Sequence, residues 1–274
     1  MRIRVLAWIA LPALALALVL APAANALQVT FSTPTGAVDP AGEPVSAMAS
    51  VSTTGGILTI TLTNLQNNPH SAGQLLSGFS FTLGVKHADG TYSPFLITGS
   101  PSITGSAGIE RVIFGDKSFT FPDGSPVPTL WGLASNGSSG LRLCDLCAGG
   151  DAPHHTIIGG PGADGFHYDA ANSSITGPGG GATDFGTHSP FLVLPVTFTI
   201  GGIAGLTSAV YADSVFFSFG TEEGINRPGS CEGLAGVSCL PTLQVVPEPS
   251  SLLLLGVGLM GLAGLGWRTR RPKK

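Results

Sequence analysis

The sequence predicts an all-β fold, a single antiparallel β-sandwich or jelly-roll-like domain followed by a C-terminal transmembrane helix. The chain contains 40 glycines and 21 prolines among its 274 residues, and these residues weaken helix interiors by about 1 and about 3 kcal/mol. Short runs that alternate apolar and hydroxyl residues recur between turns, which is typical of half-buried strands. One uninterrupted apolar run near the C-terminus is long enough to cross a bilayer.

The predicted strands lie in residues 27–245, and the clearest of them is Ile57 to Asn64 (ILTITLTN). Leu58, Ile60 and Leu62 fall on one face of this strand and threonines on the other. Pro195 has no amide hydrogen, so its strand should contain a bulge or form a sheet edge. Further strands are predicted at 27–32, 75–85, 95–98, 110–114, 129–134, 141–146, 190–200 and 208–220, with turns at 89–90, 99–101 and 122–124 among those that separate them.

A Gly-rich loop is predicted at residues 148–186, between two groups of strands. So long a stretch with few core-forming residues should be either a functional loop or partly mobile. It contains Asp164, His167 and Asp169, whose side chains could bind calcium or a transition metal. Because no known ligand spacing is present, the simpler interpretation is a solvated loop. We therefore predict no cofactor, with calcium as the one candidate.

Four cysteines, Cys144, Cys147, Cys231 and Cys239, occur in a chain that is predicted below to leave the cytoplasm. An even number of cysteines in an oxidising compartment predicts disulfides. The 144/147 pair could be joined to the 231/239 pair, or each pair could close locally. A four-thiolate zinc site and a redox-active Cys-Asp-Leu-Cys motif are the remaining alternatives.

No enzyme motif with a sequence signature is present, since Gly-x-Ser-x-Gly, His-Glu-x-x-His, P-loop and Ser-x-x-Lys patterns are all missing. We therefore predict a non-catalytic protein. Paired carboxylates for glycoside hydrolysis leave no sequence pattern, so a secreted glycan hydrolase is kept as an alternative. Tyr92, Trp131, Tyr168 and Tyr211 could stack on sugars, although buried aromatic residues are the commoner case.

The N-terminus has the layout of a cleaved secretory signal over residues 1–26. Two arginines precede an apolar segment, and a small-residue site ends at Ala24-Asn25-Ala26. Cleavage after Ala26 would make Leu27 the mature N-terminus. The rest of the chain up to Val246 is therefore predicted to leave the cytoplasm.

Residues 246–274 contain three parts in order, a Pro-Glu-Pro triplet, an apolar run and a basic tail. Pro247, Glu248 and Pro249 cannot enter the following helix and should form an extended, protease-accessible segment. The apolar run of residues 250–267 is close to the minimum for a bilayer of about 30 Å. The tail should stop transfer on the cytoplasmic side, and its leading basic residues are Arg268, Arg270 and Arg271.

This order of parts resembles the PEP-CTERM sorting domain of Gram-negative bacteria, in which a membrane-embedded exosortase is thought to cut near the Pro-Glu-Pro. The resemblance covers residues 246–274 alone. It implies that Pro247, Glu248 and Pro249 are recognised by an exosortase-type enzyme and that the precursor is held transiently in the inner membrane. It also implies delivery to the cell surface or an exopolysaccharide matrix.

Removal of both terminal segments changes the charge of the protein. Seven of the 12 basic residues lie in those segments, so five basic residues remain against 15 acidic ones, a formal net charge of −10. Nucleic acid is excluded as a partner because binding it requires clustered Lys and Arg. We expect a surface or biofilm-matrix protein that contacts exopolysaccharide, with a carbohydrate-binding module as the alternative.

Overall fold

The computed structural model describes residues 27–87, 89–120, 125–148, 155–207, 210–221 and 226–231. Within these ranges the chain forms strands, two 3-10 turns and one short α-helix, α1 (Ser173–Thr176). The all-β prediction is confirmed. The strands are β1 (Leu27–Ser32), β2 (Ala47–Thr54), β3 (Ile57–Asn64), β4 (Leu76–Lys86), β5 (Tyr92–Pro94), β6 (Gly99–Arg111), β7 (Gly132–Ser135), β8 (Gly140–Cys144), β9 (Phe191–Ile203), β10 (Val210–Phe219), β11 (Asn226–Pro228) and β12 (Ser230–Cys231).

The strands form two antiparallel sheets. The first sheet has the order β12, β1, β2, β3, β9, β6, and the second has the order β11, β10, β4, β8, β7 with β5 beside β4. β2 and β3 form a hairpin through Gly55 and Gly56, whose φ angles are 59° and 80°. Such a two-residue turn needs positive φ at both positions, which glycine adopts without steric cost.

Both sheets contribute side chains to one hydrophobic core. From the first sheet Phe31, Ile60 and Phe198 are fully buried, and from the second Phe79 and Phe217 are equally buried. Alternate residues of β1, β2 and β3 are buried, and the residues between them are partly exposed. This period of two is the pattern of a sheet with one face on the core and one face in water.

The predicted irregularity at Pro195 is a bulge and not a sheet edge. β9 lies between β3 and β6 in the first sheet. Its pairing with β6 shifts between Val193 and Thr197, so that Leu194 and Pro195 stand out of the ladder. Leu194 has φ 65° and an exposed side chain. On the β3 side the ladder ends at Val196, and on the β6 side the bulge lets the pairing continue past the proline.

Several predicted strands are wrong in part. Residues 95–98 are not a strand, and the turn predicted at 99–101 begins the 13-residue β6. β2 was not predicted at all, although it has eight residues. β2 and the start of β6 were missed because small residues, chiefly Ala and Ser in β2 and Gly, Ser and Pro in β6, give weak strand signals. In each case the neighbouring strands supply the ladder partners.

The Gly-rich stretch packs against the domain from residue 155 onward. Residues 155–158 connect the two sheets, because Ile157 exchanges two backbone hydrogen bonds with Leu76 of β4 while Ile158 N donates to Leu192 O of β9 at 2.8 Å. A second hydrophobic cluster includes the fully buried Tyr168 and Ile175. The prediction of few core-forming residues was therefore wrong for this part of the loop.

Residues 1–26 and 246–274 lie outside the described residues, and so do the signal cleavage site at Ala24 and Ala26, the predicted transmembrane helix and Cys239. Among the residues that the structure does describe, no helix combines the length and the hydropathy needed to span a membrane.

Candidate functional site

The structure brings Asp164, His167 and Asp169 together at the surface. One potential ligand atom from each residue lies within 4.8 Å of the others, and all three side chains are exposed. The carboxylate Oδ1 of Asp164 accepts hydrogen bonds from the backbone nitrogens of Phe166 and His167, at 2.8 and 3.0 Å. These turn contacts fix the local geometry, and they explain why residues so close in sequence converge.

An ion pair already occupies this cluster. His167 Nδ1 lies 2.6 Å from Asp164 Oδ2. The hydrogen bond from His167 lowers the pKa of Asp164 to about 2, and the same bond raises the pKa of His167 above 6.5. The ammonium of Lys117 donates to the backbone carbonyl of Asp169. A divalent cation would have to displace the proton of His167, and the neighbouring lysine would oppose its charge.

The first cysteine pair closes locally. Cys144, the last residue of β8, forms a disulfide with Cys147, and their Cα atoms are 5.2 Å apart. The alternative in which these two cysteines pair with Cys231 and Cys239 is therefore wrong, and their thiolates are not available for a zinc site. The backbone of Cys231 pairs with Phe31 in the first sheet.

Asp145 lies between the two bridged cysteines and has only 7% of its surface exposed. Its backbone nitrogen donates to Ser77 O at 3.0 Å, whereas its Oδ2 atom has no hydrogen-bond partner among the described residues. Burial away from water raises the pKa of this carboxyl to about 7. The sequence contained no signal for this environment, because it depends on the packing around the end of β8.

Three of the four aromatic residues considered for sugar stacking are buried, and of the four only Tyr92 is exposed. The indole Nε1 of Trp131 donates to His155 O at 2.9 Å. The Tyr168 hydroxyl accepts from Arg111 Nη1 and donates to Gly159 O, both at 2.8 Å. Rings held in this way stabilise the domain and are not accessible to a sugar. The interpretation of these residues as buried aromatics is confirmed for Trp131, Tyr168 and Tyr211.

The outer side of the first sheet presents a regular array of hydroxyl groups, which we call the hydroxyl face. All of its members are partly exposed and lie on four adjacent strands. Thr30 pairs with Ser50, Ser50 with Thr61, and Thr61 with Thr197 across β1, β2, β3 and β9. A second row joins Ser52, Thr59 and Thr199. The hydroxyl face consists of Thr30, Ser50, Ser52, Thr59, Thr61, Thr197 and Thr199.

The alternation of β3 is evident in the sequence, whereas the hydroxyl face is not. The available signal was the repeated hydroxyl-x-hydroxyl pattern at Ser50-Val51-Ser52, Thr59-Ile60-Thr61 and Thr197-Phe198-Thr199. Which of these pairs lie side by side depends on strand order and register, and neither can be determined from one sequence.

Comparison with known proteins bears on the C-terminal segment. Residues 245–271 match the family model of the PEP-CTERM protein-sorting motif. The chain carries a PEP-CTERM sorting motif. This PEP-CTERM match includes Pro247, Glu248 and Pro249 together with Arg268, Arg270 and Arg271, all outside the described residues. No curated protein and no solved structure matches the chain.

The PEP-CTERM motif implies an exported protein with a C-terminal membrane anchor and recognition by an exosortase. It therefore specifies the route of the protein, and it covers none of the β domain. The chemistry of that domain depends on the side chains that its sheets expose.

Proposed function

We propose that this protein is a non-catalytic component of the cell surface or exopolysaccharide matrix of a Gram-negative bacterium, delivered there by exosortase-type processing. The PEP-CTERM motif at residues 245–271 carries this proposal, because a sorting signal with a membrane anchor is useful only to a protein that functions outside the cytoplasm. The inner membrane holds the precursor transiently, and the sorting enzyme recognises Pro247, Glu248 and Pro249.

The composition of the chain supports this placement. The exported part has a formal net charge of −10, which keeps a surface protein soluble and repels nucleic acid. The Cys144–Cys147 disulfide is of a kind that persists in oxidising compartments. Side chains from both sheets form one hydrophobic core in the described residues, which suits a protein that has to stay folded outside the cell.

Processing can be tested in the host. Replacement of Pro247, Glu248 and Pro249 by alanine should leave the full-length precursor in the inner membrane, whereas the wild-type protein is shortened and leaves the membrane. Pro241→Ala is the matched control, because it changes a nearby proline outside the matched segment. Immunoblotting of membrane and extracellular fractions measures the outcome, and normal shortening of the triple variant would contradict the proposal.

The matrix role can be tested by co-sedimentation of the protein with the exopolysaccharide of its own host, with and without calcium. We expect saturable binding that leaves the polymer length unchanged. Shortened polymer would instead identify a secreted glycan hydrolase, and a lack of binding would contradict the matrix role. Binding that requires calcium would implicate Asp164, His167 and Asp169 as the calcium ligands.

A further inference from the structure

We propose that the hydroxyl face of the first sheet is the polymer-binding surface of this protein and that it binds a neutral polysaccharide through hydroxyl-to-hydroxyl hydrogen bonds. This inference rests on the proposed matrix function and names the surface and the class of polymer for it.

The spacing of the hydroxyl face is regular in two directions. Residues directly opposite each other on neighbouring strands are about 5 Å apart, as between Thr61 and Thr197. Along one strand, outward residues such as Thr59 and Thr61 repeat about every 6.8 Å. Four adjacent strands therefore present a two-dimensional grid of hydroxyl groups, which a polymer with many hydroxyls can contact at several points at once.

Contacts within the array fix the orientation of its hydroxyl groups. The hydroxyls of Thr61 and Thr197 are 3.1 Å apart. Gln28 Nε2 donates to Ser50 Oγ at 2.7 Å, and Thr199 Oγ1 donates to Gly105 O at 3.1 Å. A hydroxyl has one donor and two acceptor positions, so each of these groups retains hydrogen-bonding capacity for a ligand. Threonine is also stiff at χ1, which lowers the entropic cost of binding.

The chemistry of this surface selects a neutral partner. The outward positions of β1, β2 and β3 carry no charged side chain, and only Met48 and Ile57 among them are apolar. With no cation on the face and a formal net charge of −10 on the exported part, an anionic polymer would be repelled. Protein interfaces need an apolar core, which disfavours a second copy of this chain. Threonine methyl groups can still contact the C–H groups of a sugar ring.

The test uses the full chain, purified in detergent, and measures its depletion from solution by cellulose, cross-linked dextran and the anionic polymer alginate. We expect saturable binding to a neutral polymer that is insensitive to salt, and weaker binding to alginate. Combined replacement of Thr59, Thr61, Thr197 and Thr199 by valine keeps side-chain shape and strand propensity. Binding should become about tenfold weaker, equivalent to about 1.4 kcal/mol.

The matched control is Thr82→Val, which removes a partly exposed hydroxyl from β4 in the other sheet and should leave binding unchanged. If the fourfold variant fails to fold, Ser50→Ala with Ser52→Ala makes the same test with a smaller expected loss of about threefold. Preference for alginate, or equal binding by wild type and the hydroxyl-face variants, would overturn this inference.

The host exopolysaccharide separates this inference from the proposed function. Equal sedimentation of wild type and the hydroxyl-face variant with that polymer would overturn the assignment of the face and leave the matrix role in place. A wild-type protein that does not sediment with the polymer would overturn both.

Discussion

Asn64, at the end of β3, and Asp145, just beyond β8, are buried to nearly the same degree, with 5% and 7% of their surfaces exposed. The amide of Asn64 is fully used. Its Nδ2 donates to the carbonyl oxygens of Gln74 and Ile157, each at 2.9 Å, and its Oδ1 accepts from Gln66 N at 3.0 Å. Asn64 thereby ties the Gly-rich stretch to the first sheet.

Asp145 is buried without this compensation. Its Oδ2 atom has no hydrogen-bond partner among the described residues, and burial raises its pKa to about 7. The difference shows that burial alone does not determine the effect of a polar side chain. A buried polar group whose hydrogen bonds are all made holds segments of the chain together. A buried carboxyl without hydrogen-bond partners resists ionisation, and it destabilises the fold when it becomes charged.

The largest effect is expected from Asn64→Ala. The substitution removes three hydrogen bonds and leaves the carbonyl of Gln74 and the amide of Gln66 without these partners, while the carbonyl of Ile157 keeps its bond from Leu76 N. Unfolding should therefore become easier by about 3 kcal/mol. Urea denaturation followed by circular dichroism measures this change. Gln66→Ala keeps the backbone amide that contacts Asn64 and should change stability by no more than about 0.5 kcal/mol. Equal effects of the two substitutions would contradict the role of Asn64.

Asp145→Asn should instead stabilise the protein against unfolding, and the size of this gain should depend on pH. In the folded protein the carboxyl keeps its proton up to about pH 7, whereas in the unfolded chain it loses the proton near pH 4. The folded state therefore binds more protons between these values, and stability should fall as the pH rises from 4 to 7.

The Asp145→Asn substitution removes this dependence but leaves a buried amide, so we expect a gain of about 2 kcal/mol at pH 8 and almost none at pH 4. Urea denaturation across this pH range measures it. Asp89→Asn is the control, because Asp89 is exposed and the hydroxyl of Thr91 lowers its pKa. If the stability of the wild-type protein did not change between pH 4 and 7, the raised pKa of Asp145 would be contradicted.

The smallest effect is expected for the exposed pair of His167 and Asp164. Here the pKa of His167 is shifted mainly by its carboxylate partner and not by burial. The hydrogen bond that His167 donates to the carboxylate of Asp164 raises the pKa of His167, so the stabilising contact is present at low pH and is lost as the pH rises through that raised pKa. Asp164→Asn should move the pKa of His167 back towards 6.5, as measured by NMR titration. Asp184→Asn should leave the titration of His167 unchanged, and a similar curve for both variants would contradict the pairing.

Sequence patterns predicted the features that depend on interactions between residues close together in the chain. β1 and β3 have the bounds that the alternation of their sequences indicated. Asp164, His167 and Asp169 meet because a turn brings close neighbours together, and the Cys144–Cys147 disulfide closes over a short separation. The position of Pro195 in an irregular strand followed from its missing amide hydrogen.

Features that depend on long-range packing could not be predicted in the same way. The burial of Asp145 requires the position of β8 beside β4. The second cluster joins Leu75, Ile113 and Tyr168 from distant parts of the chain, and no periodicity marks such residues. The hydroxyl face exists because β9 pairs with β3 in one register, and a shift by one residue would turn those threonines into the core.

Contacts between segments that are far apart in the sequence also limit how early the domain can be completed. Thr53 Oγ1 donates to Val210 O at 2.8 Å across a sequence separation of 157 residues, and Asn64 contacts Ile157 across 93. Contacts so far apart form slowly because a long loop must close first. As the chain emerges with its N-terminus first, β1, β2 and β3 can form only an open meander with an exposed apolar side. That side is covered once β9 and β10 have emerged, so the early strands depend on the last third of the domain for protection from aggregation.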